Sequence, residues 1–182
     1  FPGLKGPAPW LTSPSDESGL ASDLSYYYLA GMLIKNGMVQ APDCPNGGLQ
    51  ADNTIATRCG VDTAMSKIIE WQNTFDSEIL RVSQETGVPA QLLKNVFSRE
   101  SQFWPGMYRV PYEFGLGQIT DNGAETVLLW NPTFYNQFCP LVLDENACAR
   151  GYVYLDAESQ ALLRGALALE AKADCKECVA GI

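Results

Sequence analysis

The stretch PAQLLKNVFSRES, residues 89–101, decides how the chain is read. Pro89 suits the start of a helix, where its missing N–H costs no hydrogen bond. Leu93, Val96, Phe97 and Glu100 then recur at i, i+3, i+4 and i+7, which is one helical face. The spacing predicts a helix from Pro89 to about Phe103, ended by Pro105-Gly106. Glu100 continues the apolar stripe near its C-terminal end, and no basic residue shares that face. A carboxylate there is partly desolvated, which disfavours its charged form. An acid that keeps its proton near neutral pH is what general-acid cleavage of a glycosidic bond requires. The alternative is a structural Glu paired with Arg99, Arg109 or a backbone amide.

Before this stretch, Val61 to Thr86 carries Met65, Ile68, Ile69, Gln72, Phe75, Ile79 and Val82 at steps of three and four, a helical pattern closed by Gly87. Further helices are predicted over Ala21–Met38, Ala124–Trp130 and Ala157–Asp174. In the first of these, Leu24, Tyr27, Tyr28, Ala30, Met32 and Leu33 supply the apolar positions. The Tyr26-Tyr27-Tyr28 run reads as core packing before sugar stacking. Residues 1–20, with Pro2, Pro7, Pro9 and Pro14, form an arm or linker, and 21–182 form one domain. Strands have support only at Tyr108–Val110 and Tyr152–Leu155. The fold class is mainly α, with stapled loops and little β.

Six cysteines stand at 44, 59, 139, 148, 175 and 178. Short separations favour local bridges, Cys44–Cys59, Cys139–Cys148 and Cys175–Cys178; zinc or redox use of the last pair is the rival. Disulfides imply an oxidising compartment, extracellular or cell envelope. Histidine is absent, which excludes Ser-His-Asp triads, Cys-His pairs and His-ligated zinc. A net charge of −9 makes nucleic acid an unfavourable partner. No apolar run is long enough to span a membrane. No metal or organic cofactor is implied.

The segment Phe114-Gly115-Leu116-Gly117-Gln118-Ile119-Thr120 comes soon after Glu100. Its glycines allow a tight turn and close ligand approach, and Gln118 offers donors and acceptors for sugar hydroxyls and acetamido groups. Together, VPAQLLKNVFSRESQFWPG and FGLGQIT resemble the signature of lytic transglycosylases with the soluble-transglycosylase domain. They are also similar to goose-type lysozymes of the same lysozyme-like superfamily. The resemblance covers residues 87–128. It implies a lysozyme-like helical fold, peptidoglycan glycan strands as partner, Glu100 as the catalytic acid, and Ser101, Gly115, Gly117 and Gln118 in the glycan cleft.

Two departures stand out. Gly117 replaces the family's usual Met, and no Ala-Tyr-Asn-Ala-Gly-like segment comes later; Tyr152 and Tyr154 are the nearest later tyrosines. Either further domains of the same polypeptide supply that part, or another residue does. Goose-type lysozymes carry an Asp where this chain has Thr120, so a second carboxylate would have to be Glu113 or Asp121. Its absence tilts the expectation from hydrolysis toward 1,6-anhydromuramoyl products by attack of the muramoyl C6 hydroxyl. A non-catalytic glycan-binding module and a disulfide-stapled toxin or inhibitor are the rival classes.

Overall fold

The computed structural model describes residues 8–21, 26–51, 54–104 and 115–173. Chain contacts divide it into two compact units, Phe1–Trp104 and Pro105–Gly181. The architecture is mainly α with disulfide-stapled loops, as expected. Among the described residues β pairing is limited to one isolated bridge, Leu49 with Ala56, and Tyr152–Tyr154 is a 3-10 turn rather than a strand. Tyr108–Val110, Leu24 and the Cys175–Cys178 pair lie outside the described residues. No described helix is long and apolar enough to cross a membrane.

The first unit holds α1 (Tyr27–Lys35), α2 (Arg58–Asn73), α3 (Asp76–Thr86) and α4 (Ala90–Glu100). The single helix expected over Val61–Thr86 is two, broken at Thr74 and Phe75. Thr57 caps α2 by accepting from the Gly60 N–H at 3.2 Å. Gly87, at φ 74°, ends α3 in the left-handed conformation glycine tolerates best. Helix α1 packs on α2, and α3 on α4. The Cys44–Cys59 bridge staples the loop between α1 and α2. Beside it, α2 approaches that loop so closely that a Cβ on Gly60 would run into the Gly48 carbonyl. With a sequence separation of 15, the bridge contributes about 3 kcal/mol in the chain-entropy model. Tyr26 and Tyr28 are buried, as core packing requires.

The arm is part of this unit. Ser13 Oγ accepts from the Ala90 N–H at 3.0 Å and the Thr12 carbonyl accepts from Gln91 N–H at 3.0 Å, so the arm caps α4. Pro89 stands one residue before α4 rather than within it.

Helix phase meets the expectation in part: Ile68, Gln72 and Ile79 are buried as the spacing predicts. The buried positions of α2 are Gly60, Val61, Ala64, Ile68 and Gln72, while Met65 and Ile69 are exposed. On α4 they are Ala90, Lys94 and Ser98. These faces meet in a polar seam. Tyr26 donates to Gln72 Oε1 at 2.8 Å and shares a 3.1 Å hydrogen bond with Ser98. The Lys94 ammonium, fully buried, donates to Asp76 Oδ2 at 2.8 Å, Asn73 Oδ1 at 3.2 Å and the Leu20 carbonyl at 3.4 Å. Its three N–H donors are thereby used. Asp76 Oδ1 is buried with no hydrogen-bond partner. Burial pushes the Asp76 carboxyl above the usual carboxylate range, against the bond and charge of Lys94.

The second unit holds α5 (Asp121–Trp130), α6 (Pro132–Phe138), α7 (Glu145–Cys148) and α8 (Ala157–Ala173). Its core gathers Leu128, Tyr135, Phe138, Tyr152, Leu155 and Leu163 around the Cys139–Cys148 bridge. The buried Tyr135 hydroxyl donates to the Cys148 carbonyl at 3.1 Å.

Breaking one side of the buried pair should be costly. Asp76→Leu leaves an ammonium without its counter-charge, for an expected loss of about 3–5 kcal/mol. Asp76→Leu with Lys94→Met should lose much less than the two single changes summed, measured by urea unfolding. The sign with pH comes from the raised Asp76 value. Between the unfolded carboxylate value of about 3.9 and the higher folded one, the native state binds more protons, so this group's contribution declines as pH rises. The wild-type minus double-variant stability difference should be flat below that window and fall through it.

Candidate active site

Glu100 is the last residue of α4, and the bend beyond it is tightly held. Ser101 closes the helix with its N–H on the Phe97 carbonyl at 3.1 Å. Gln102 and Phe103 then turn back with φ of 51° and 62°. Neither is glycine, and left-handed backbone costs an ordinary residue about 1–2 kcal/mol. Packing and hydrogen bonds sustain it. Phe103 is fully buried, stacked on Phe75 at 5.8 Å and edge-on to Phe97 at 6.4 Å. Its carbonyl accepts from Trp71 Nε1 at 2.9 Å, and Trp71 stacks on buried Trp104 at 5.5 Å. Gln102 Oε1 accepts from the Tyr28 N–H at 3.0 Å and the Leu29 N–H at 3.2 Å. These are among the first N–H groups of α1, whose N-cap Tyr26 makes no side-chain cap bond.

Glu100 itself is exposed, which corrects the expectation that it continues a buried stripe. The buried face of α4 runs through Ala90, Lys94 and Ser98 to Ser101. Leu93 and Phe97 flank it half-buried, and Val96 is exposed with Glu100. The reason is the seam: the ion pair and the Tyr26–Ser98 bond turn the polar side of α4 inward. Among the described residues Glu100 forms no ion pair, and its neighbour Arg99 is exposed. Arg109 lies outside the described residues. Ser101 is fully buried, with its hydroxyl on the Phe97 carbonyl at 3.2 Å.

Gly115, Gly117 and Gln118 belong to the second unit, where they form one turn. Positive φ falls on Gly115 (70°) and Gln118 (47°), not on Gly117. Gln118 is buried, its amide side chain donating to the Gly115 carbonyl at 2.8 Å and its backbone N–H to the same oxygen at 3.2 Å. Thr120 caps α5 by accepting from the Gly123 N–H at 3.0 Å. Asp121, first residue of α5, pairs with Arg164 at 3.1 Å. Arg164 also donates to the buried Tyr152 hydroxyl at 3.0 Å, a bond that with Asp121 holds it in its charged form. Tyr154 is exposed. Glu113 lies outside the described residues.

No family model, curated protein or solved structure matches this chain.

Two contributors to the bend escape sequence reasoning. Gln102 reads as an ordinary polar turn residue, and nothing local marks its tie to a helix more than seventy positions earlier. Trp71 reads as one more aromatic on a helix, although its ring nitrogen holds the Phe103 carbonyl. Trp71→Phe keeps a ring on Trp104 but leaves that carbonyl without its donor. The expected loss is about 1–3 kcal/mol in urea unfolding.

Proposed function

We propose that the chain cleaves the β-1,4 bond between N-acetylmuramic acid and N-acetylglucosamine in peptidoglycan, as a lytic transglycosylase does. The observation that carries this reading is the reachable Glu100 carboxylate at the head of a bend that packing and hydrogen bonds hold in a costly conformation. Strained backbone of this kind clusters where geometry serves function. The motif resemblance around it supplies the substrate class.

In the proposed reaction Glu100 protonates the departing glycosidic oxygen as its bond to the muramoyl C1 breaks. The resulting carboxylate takes the proton of the muramoyl C6 hydroxyl as that oxygen bonds to C1, closing a 1,6-anhydro ring. Because Glu100 is exposed in the free chain, the bound glycan itself has to exclude water from the carboxylate. The hydrolytic route is often helped by a second carboxylate, and Thr120 stands where goose-type lysozymes carry an Asp, which favours the anhydro product. The two disulfides fit an oxidising compartment, and the substrate narrows it to the cell envelope or outside.

A second reading, a glycan-binding module without turnover, is favoured by one observation: Glu100 lacks the dry surroundings that prepare a general acid in advance. Mass spectrometry of soluble products from purified peptidoglycan separates the two. Wild type should release anhydromuramoyl fragments, and Glu100→Gln should lose roughly 100-fold or more of the rate while still sedimenting with the wall. Reducing-end fragments would make the reaction hydrolytic. Wall binding with no fragments from either protein would establish the binding module.

A further inference from the structure

We infer that Gln102 is a positioning residue for Glu100, acting by tethering the bend behind it to the N-terminus of α1. This rests on the reading of Glu100 as the catalytic acid and deepens it. Three observations carry it. Gln102 is two residues from Glu100 and adopts φ 51°, a conformation its own side chain type does not favour. Its Oε1 takes two hydrogen bonds, from the Tyr28 and Leu29 N–H groups in the first turn of α1. On the other side of the bend, Phe103 and Trp104 are clamped by Phe75, Phe97 and Trp71.

The division of labour depends on which groups can slide. Ring packing tolerates small shifts, because dispersion contacts are many and non-directional. A two-centre hydrogen bond to adjacent N–H groups is directional and fixes the turn along the α1 axis. Losing the Gln102 amide leaves the rings and the Trp71–Phe103 hydrogen bond in place but removes the tie to α1, which lets the Glu100–Ser101 end of α4 shift by a fraction of a residue. A displacement of about 1 Å at a reacting group can cost a hundredfold in rate. The effect therefore belongs to turnover and not to glycan affinity.

The test uses Gln102→Ala and Gln102→Glu in the full chain, with initial rates on purified peptidoglycan well below the unfolding temperature. Amide exchange at Tyr28 and Leu29 reports on the tether directly. Gln102→Ala should lower kcat roughly ten- to a hundredfold with KM little changed, and should speed exchange at both amides. Gln102→Glu keeps an acceptor at a helix N-terminus that welcomes negative charge, and should restore both the rate and the protection. A Gln102→Ala protein with wild-type kcat and accelerated exchange would overturn this inference alone. So would a loss in kcat that Gln102→Glu does not rescue, or one matched by an equal change in KM. Wild type releasing no product would overturn the reading of Glu100 itself, and the inference with it.

Discussion

The first unit depends on one ion pair that sits where hydrocarbon would be expected. Lys94 and Asp76 are both almost completely enclosed, and their contact joins α4 to the first turn of α3. The same ammonium reaches Asn73 at the end of α2 and the Leu20 carbonyl of the N-terminal arm. Four segments are therefore registered by a single cation. Desolvating two charges is expensive, and the unpartnered Asp76 oxygen adds to the cost. A shifted α4 would strand a buried charge, which disfavours rotations of that helix other than the observed one.

That rotation has a consequence at the candidate site. With Lys94, Ser98 and Ser101 turned inward, the opposite side of α4 carries Val96 and Glu100 to the surface. The polar seam and the reachable carboxylate are two sides of one choice. The bend after Glu100 then uses aromatic packing and the Gln102 tether to hold the helix end still. A carboxylate that is mobile in water acquires a defined base this way, without being buried.

Much of the helical content was legible in the chain. Gly87 and Pro89 marked the boundary between α3 and α4, because a left-handed glycine and a proline punctuate helices wherever they occur. The Cys44–Cys59 and Cys139–Cys148 pairings were legible from proximity in sequence. The phase of α2 and α3 was legible in part, through Ile68, Gln72 and Ile79, and that of α4 was not. Hydropathy assigned Met65, Ile69 and Val96 to the interior because they are apolar, yet all three are exposed. Gly60, Ala64, Ala90, Lys94 and Ser98, which hydropathy did not single out, are buried. No residue-by-residue scale ranks a lysine as interior, since its burial depends on a partner eighteen positions away.

What the sequence determined by itself was local: where helices start and stop, which cysteines are near enough to pair, and that catalysis by histidine is impossible in a chain without any. Backbone conformation and chain proximity decide such features over a few residues. The tertiary structure decided which face of α4 is inside, that Glu100 is exposed, and that Gln102 caps a helix from across the fold. Those depend on hydrogen bonds and charges between distant segments. Their energy exists only once the partners are brought together, and short-range pattern carries no trace of it.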